Sequence, residues 1–242
     1  MIFSHQISAM KNVIITGGSS GIGAATAQIL IERGHRVHLM GRNQEKLQAL
    51  QTSLGPNCTF TIGDVRSIAD CTSTYEEAQQ KMGGVDVLIN NAGLGIFDPL
   101  QQAKLEDWHE MVDTNIKGIL NMIHLSLQEL IQRKGHIINL GSVASHHVFA
   151  NSGIYCATKH AVLAIGESLK VEHSKHIRVT TICPGAVNTP FIHVTKNEEL
   201  LKEYVPNFEK GLDPKNIAAQ MVHVIEAPEG VNISEIIIRP GI

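Results

Sequence analysis

The sequence predicts an α/β fold, one domain built on a doubly wound parallel sheet, and three observations carry that expectation. Short β-branched apolar runs alternate with longer amphipathic stretches from end to end, as strands joined by crossover helices on both faces of a sheet would. A glycine cluster, Thr16-Gly-Gly-Ser-Ser-Gly-Ile-Gly23, follows the first apolar run directly and opens the first amphipathic stretch. No repeat, low-complexity tract or Pro/Gly-rich linker divides the 242 residues, a length at which α/β folds are often single domains.

The strands are expected at Val13–Ile15, Val37–Met40, Thr59–Ile62, Val85–Ile89, His136–Leu140, Arg178–Ile182 and Glu235–Ile238. Each is a continuous apolar or β-branched run, because a strand covered on both faces has no solvent side to mark with polar residues. After the first strand, Ile22, Ala25 and Ile29 share one helical face that Gly34 ends. Ser67 and Asp70 have capping-box spacing, and Asp213 places an N-cap before Pro214 at a first helical position. Residues 152–174 are expected to be helical. The architecture is that of a Rossmann-type domain over residues 11–242.

With 43% apolar residues and a net charge of −3, the chain has ample core and no electrostatic footprint for nucleic acid, so no nucleic-acid partner is expected. The opening residues Met1 to Ala9 lack the basic region and apolar stretch of a signal peptide, and no run reaches the ~18 apolar residues of a membrane span. No membrane association and a cytoplasmic location are therefore expected. Residues 1–10 are expected to be a disordered tail, with Met10 an alternative start. Cys58, Cys71, Cys156 and Cys183 form no C-x-x-C pair and read as reduced, packed thiols. Of thirteen histidines only His146 and His147 are adjacent, and no metal site is expected.

The strongest chemical signal is Tyr155-Cys-Ala-Thr-Lys159. On a helix, positions i and i+4 share a face, which sets a phenol beside an ammonium. A phenol with pKa near 10 is a poor acid or base at neutral pH, and a cation within about 4–6 Å lowers that value. The pair alone is common on helices. Here it stands in order with the glycine turn, Asn90-Asn-Ala-Gly93 after a strand, Asn115 inside a helix, Ser142 at a strand end, and Pro184-Gly-Ala-Val-Asn-Thr189. With these motifs the chain resembles the short-chain dehydrogenase/reductase family from about residue 11 to its C-terminus.

That resemblance implies an oxidoreductase interconverting a carbonyl and a secondary alcohol, with Tyr155 as general acid/base, Ser142 on the substrate oxygen, Lys159 tuning the tyrosine and gripping the nicotinamide ribose, and Asn115 holding a helix distortion and a relay water. The spacing of Gly17, Gly21 and Gly23 is the family's variant of the dinucleotide turn, in which Ser19, Ser20 and Ile22 complete the pyrophosphate site. Arg42, at the end of the second strand and with no acidic residue beside it in sequence, favours NADP(H) over NAD(H). One departure is Ser20, where many NADP-using relatives carry a second basic residue. Asp64 and Val65 would meet the adenine, although Asp64 is equally a helix cap. Asn91, Ala92 and Gly93 would line the cofactor groove, and Pro184, Gly185, Val187 and Thr189 would hold the nicotinamide.

Ser142, His146, Phe149 and Phe191 are the expected substrate contacts, under a mobile lid at about 190–211. No arginine occurs between Arg178 and Arg239 to clamp a carboxylate. The segment from Val231 to Pro240 nevertheless resembles the ending of family members that oxidise 3-hydroxy acids and serine-like compounds. Relatives are commonly homodimers or homotetramers, and Ala157, Ala161, Ala164, Ile165 and Leu169 offer a small, apolar helix face for such pairing. The rival from another class is a non-catalytic NADPH-binding sensor, which fold alone does not exclude.

Overall fold

Seven apolar strands with no polar side can be buried only if helices cover both faces of their sheet, and the computed structural model, which describes residues 9–241, has that arrangement. In chain order the elements are β1 (Asn12–Thr16), α1 (Gly21–Glu32), β2 (Arg36–Gly41), α2 (Gln44–Leu54), β3 (Cys58–Ile62), α3 (Ile68–Met82), β4 (Val87–Asn90) and α4 (Leu105–Val112). They continue with α5 (Gly118–Gln132), β5 (His136–Leu140), α6 (Gly153–His173), β6 (Arg178–Pro184), α7 (Glu198–Glu209), α8 (Pro214–Ile225) and β7 (Glu235–Ile238). A π-turn, Asp113–Lys117, joins α4 to α5, and short 3-10 turns occupy Val143–Ser145 and Pro190–Val194.

The sheet is wholly parallel in the order β3-β2-β1-β4-β5-β6-β7. The order reverses between β1 and β4, where crossovers leave to opposite faces and a crevice opens beyond the strands' C-terminal ends. Alternate strand residues serve the two cores. Val13 and Ile15 pack with Ala27, Leu30, Leu47 and Met221 of α1, α2 and α8. Between them, Ile14 points the other way, toward Ala78, Met122 and Val162 of α3, α5 and α6.

Several expectations shift in detail. Strand β4 begins at Val87 rather than Val85: the Val85 N–H donates to the Glu129 carboxylate, and at Asp86 the backbone still bonds Asn12 O and His136 N while the carboxylate takes the Asn12 N–H. On α1 the buried residues are Gly23, Thr26, Ala27 and Leu30, a small-residue stripe that lets the helix lie close to the sheet; Ile22, Ala25 and Ile29 are only half-buried. Ser67 caps α3 by accepting from the Asp70 N–H, but the return half of the box is missing: the Asp70 carboxylate accepts from the Asp64 N–H and the Ser67 hydroxyl. Asp213 caps α8 as expected, accepting from Lys215 N. On α6 the apolar stripe divides, with Leu169 buried and Ala157 and Ala164 exposed. The four cysteines are buried free thiols. No helix among the described residues is long and apolar enough to cross a membrane. Residues 1–8 of the expected N-terminal tail lie outside the described residues.

Strand β2 carries a fully buried His38, whose ring nitrogens lie 2.8 Å from Thr59 Oγ1 and 2.9 Å from Thr61 Oγ1. Burial lowers its pKa to about 4. Below the unfolded value of about 6.5 the unfolded chain takes up a proton that the folded chain refuses, so stability is lost as pH falls from about 6.5 toward 4. A shift of this size corresponds to about 3 kcal/mol at the acid end. Urea unfolding at pH 7.5 and 4.5 should show that loss, and His38→Gln should reduce it by a comparable amount; an unchanged acid sensitivity would contradict the assignment to His38.

Candidate active site

The crevice at the strand ends is a single cavity of about 980 Å³, running from the tips of β2 and β3 to α6 and α7. Its floor is the turn between β1 and α1. Gly17 adopts φ +65°, and a Cβ there would meet Ala92 Cα at 2.8 Å, so the turn presses directly on the loop after β4. Gly23 allows the same closeness from the helix side, where a Cβ would lie 2.7 Å from Gly17 O and from the Asn91 amide. The two loops are fastened by side chains: Asn91 Nδ2 donates to Thr16 O at 2.8 Å and Gly17 O at 3.1 Å, and Thr16 Oγ1 accepts from the N–H groups of Asn91 and Ala92. Ser20, the N-cap of α1, makes no side-chain capping bond. The first-turn amides of α1 thus meet the cavity as a ready donor set for an anion.

At the β2–β3 end stand three charges. Arg42 is 63% exposed, with Nη1 3.8 Å from Asp64 Oδ2. The Asp64 carboxylate is held far more closely by Arg66, through Nε at 2.9 Å and Nη2 at 2.6 Å. Burial pushes the Asp64 carboxyl up, but hydrogen bonds from Arg66 and the charges of Arg66 and Arg42 outweigh it and leave the group below the usual carboxylate range. The absence of an acidic neighbour in sequence is therefore not an absence in space. Asp64 does lie beside Arg42, and Arg66 neutralises it.

At the other end, the Asn115 side chain joins three segments. Its Oδ1 accepts from Leu94 N at 2.9 Å, and its Nδ2 donates to Leu94 O at 2.8 Å and Thr158 Oγ1 at 3.0 Å. Thr158 in turn donates to Tyr155 O. The helix around Asn115 widens into the π-turn, with Gly118 N bonded to Asp113 O. On α6, Tyr155 and Lys159 are both buried, and Lys159 Nζ donates to Leu140 O at 2.7 Å at the end of β5. Ser142 follows that strand end; its hydroxyl accepts from Ala144 N, and its own N–H donates to Ser145 Oγ.

The electrostatics of the tyrosine differ from the sequence expectation. Burial pushes the Tyr155 phenol above its ordinary value, an effect the neighbouring Ser142 hydroxyl opposes. Burial also brings the Lys159 ammonium down to about 8. The ammonium is anchored to Leu140 O and lies 5.9 Å from the centre of the Tyr155 ring, over its face, and it does not pull the phenol down.

Of the residues singled out in sequence, Gly17, Ser19, Ser20, Gly21, Ile22, Arg42, Asp64, Val65, Asn91, Ala92, Gly93, Ser142, Phe149, Tyr155, Lys159, Pro184, Gly185, Val187, Thr189 and Phe191 all line this one cavity. Gly23 and Asn115 support it from behind. His146 is not brought to it: the ring turns outward, with Nε2 2.5 Å from Glu235 Oε1 on β7, where Cys183 Sγ also donates to that oxygen at 3.3 Å. Residues 190–211 are largely helical, comprising the Pro190–Val194 turn and α7. Their base is tied down by Thr195 Oγ1 to Phe97 N, Asn197 to Asp98 and Lys196 to Asp107. Sequence reasoning missed Thr16, Arg66, Thr158, Phe97, Tyr204 and Phe208. Tyr204 and Phe208, four apart on α7, were a readable helical face, whereas Phe97 sits in a loop with no periodicity to reveal it.

A dinucleotide-sized crevice at the sheet's reversal point, with a tyrosine, lysine and serine gathered at its far end, defines a nucleotide-binding α/β protein of the short-chain type. Residues 11–200 match the short chain dehydrogenase family, and the chain belongs to that family and is one of its oxidoreductases. It is 38% identical over 236 residues to an uncharacterized oxidoreductase of Staphylococcus saprophyticus subsp. saprophyticus, covering 96% of each chain. Among solved structures it is similar to the closed form of a serine dehydrogenase complexed with NADP+, with a TM-score of 0.87, 33% identity and 94% of each chain covered. It is also similar to an alcohol dehydrogenase from the archaeon Thermococcus sibiricus complexed with 5-hydroxy-NADP, with a TM-score of 0.85 and 28% identity over 95% of this chain and 96% of that one.

Proposed function

We propose that the protein is an NADP(H)-dependent oxidoreductase that interconverts a carbonyl and a secondary alcohol, with Tyr155 as general acid/base. The observation that carries this reading is the convergence of Ser142, Tyr155 and Lys159 on the wall of a cavity whose other end holds the open N-terminus of α1 and Arg42. The uncapped amides of α1 fit a pyrophosphate, and the Arg42 guanidinium, with Asp64 neutralised by Arg66, fits a 2′-phosphate. Asp64 and Val65 would border the adenine, Asn91 to Gly93 the groove floor, and Pro184, Gly185, Val187 and Thr189 the nicotinamide. When bound, the dinucleotide supplies or accepts the hydride. The two similar structures that carry NADP or an NADP derivative support the same cofactor class.

The chain's own residues handle the proton and the oxygen. A phenol whose pKa burial holds high is protonated at neutral pH, the state needed to donate to a carbonyl oxygen during reduction. The Ser142 hydroxyl, at the adjacent strand end, hydrogen-bonds that oxygen as charge develops on it. Lys159, an ammonium below about pH 8 that donates to Leu140 O at the cavity wall, would grip the nicotinamide ribose. Asn115 is a positioning residue, fixing α6 against the loop after β4. The segment 190–211 acts as a lid, closing over the substrate from its tied base. Similarity to a serine dehydrogenase keeps a serine-like or 3-hydroxy acid substrate as a second reading of the substrate alone.

Tyr155→Phe removes the proton donor and leaves the cofactor contacts in place, so turnover should fall by about 10²–10⁴-fold with NADPH binding largely intact; undiminished turnover would sink the assignment. Arg42→Ala should weaken NADPH by about 10–100-fold, the value of one or two charge-assisted hydrogen bonds, while leaving NADH unchanged. Arg66→Ala should shift preference the same way by freeing Asp64 to compete for Arg42. Fluorescence titration of each variant with both nucleotides measures this, and an unaltered NADPH:NADH ratio would refute the charge arrangement.

A further inference from the structure

Aromatic residues are scarce in this chain, yet six of its ten line this cavity: Phe97, Phe149, Tyr155, Phe191, Tyr204 and Phe208. Five of them also pack with Leu94, Met111 and Ile192 in one apolar cluster, so at this end the cavity wall is continuous with the core. Around the Tyr155 ring, Phe97 stands edge-on at 5.5 Å between centroids and Phe191 is tilted at 5.6 Å. Phe97 meets Tyr204 at 5.9 Å, and Phe208 stacks on Phe191 at 6.1 Å. These separations fall within the range in which rings interact favourably with one another. Phe149 and Val194 continue the apolar surface to the cavity mouth, 48% and 40% exposed.

Among the described residues that line this end, Lys159 is the one cation. The charged residues that line the cavity are Arg42, Asp64 and Lys159; the first two lie at the tips of β2 and β3, and the Lys159 ammonium is already donated to Leu140 O. Of the nearby basic groups, His146 is engaged with Glu235 and Lys196 with Asp107, while His147, 6.4 Å from the Phe149 ring between centroids, and His193 stand outside the cavity lining. The polar groups that remain are uncharged, and two of them are committed: Ser152 Oγ donates to Phe149 O, and Tyr204 Oη accepts from Asn151. A carboxylate or ammonium entering here would lose its hydration with no opposite charge to replace it.

We infer, resting on the carbonyl–alcohol reading of this site, that its substrate is an uncharged, flat apolar carbonyl compound, an aryl or alicyclic ketone or aldehyde, and that carboxylate-bearing compounds such as serine and 3-hydroxy acids are rejected. Phe97, Phe191 and Phe208 set this preference by stacking on the ring of the substrate, and the carbonyl is directed to Ser142 and Tyr155. In the reduction the carbonyl carbon receives hydride from NADPH and its oxygen receives the Tyr155 proton, giving the secondary or primary alcohol and NADP+.

The test compares, at saturating cofactor, reduction of acetophenone, benzaldehyde and cyclohexanone with reduction of 3-oxobutyrate, and oxidation of 1-phenylethanol with oxidation of serine and 3-hydroxybutyrate. Calorimetric binding of 1-phenylethanol to the NADP+ complex gives a readout that needs no turnover. The uncharged compounds should be favoured in kcat/KM by at least about 10-fold, and 1-phenylethanol should bind where serine does not. Phe191→Ala and Phe208→Ala should raise KM for acetophenone by about 10-fold, a hydrophobic-pocket effect, and Phe208→Arg should improve 3-oxobutyrate relative to acetophenone. Equal or better handling of serine or the hydroxy acid, or failure of the uncharged compounds both to react and to bind, would overturn the inference. Such a result alongside intact NADPH binding would leave the dinucleotide site standing, whereas loss of nucleotide binding would overturn both.

Discussion

The site depends on one buried amide. Asn115 bonds the backbone of Leu94 through both its oxygen and its nitrogen, and also reaches Thr158 on α6. Three segments far apart in sequence, the loop after β4, the π-turn before α5 and the helix carrying Tyr155 and Lys159, are fixed to each other at that point. Removing such a side chain leaves buried backbone groups unsatisfied, at about 1–3 kcal/mol apiece. The geometry of the π-turn follows: the helix widens at Asp113–Lys117, where Asn115 must face inward. Tyr155 and Ser142 are then presented to the same cavity by α6 and the end of β5, where the Ser142 hydroxyl neighbours the phenol.

The opposite end of the cavity is governed by charge rather than by packing. A dinucleotide phosphate needs donors and positive potential, and the fold provides the first without any side chain, through the start of α1. The second comes from an arginine that would be weakened by a carboxylate 3.8 Å away if Arg66 did not hold that carboxylate more closely. Between the two ends, the Thr16–Asn91 contacts keep β1 and β4 together where the strand order reverses. The chemistry and the charge thus sit on different strands and are joined through the sheet. The aromatic end adds a third character, apolar and uncharged, contributed mainly by the loop after β4 and by the segment from Pro190 to α7.

Much of this was legible in the sequence. Strands buried on both sides are written as apolar runs, and all seven appear near their expected places; the later start of β4 falls where the Glu129 and Asp86 side chains take the N–H groups of Val85 and Asn12. The cavity residues carried by motifs were readable because a turn, a helix start and an i, i+4 pair are local. What failed was spatial. Sequence neighbours gave no sign that Asp64 lies against Arg42, that His146 turns toward Glu235, or that Lys159 is anchored over the tyrosine ring rather than at its hydroxyl. Burial also reversed the expected direction for the Tyr155 phenol, since desolvation is a property of the packed molecule and not of the pair.

The central claim is that one end of the cavity selects the 2′-phosphate of a nicotinamide dinucleotide and delivers its reactive end to Tyr155. Titration of the purified protein with NADPH and with NADH by fluorescence, followed by absorbance-monitored turnover on a carbonyl panel, addresses it most directly. The role proposed for Arg42 calls for NADPH to bind at least about 10-fold more tightly than NADH and to be consumed when a carbonyl compound is added. Equal affinity, or a preference for NADH, would contradict the role given to Arg42 and Arg66.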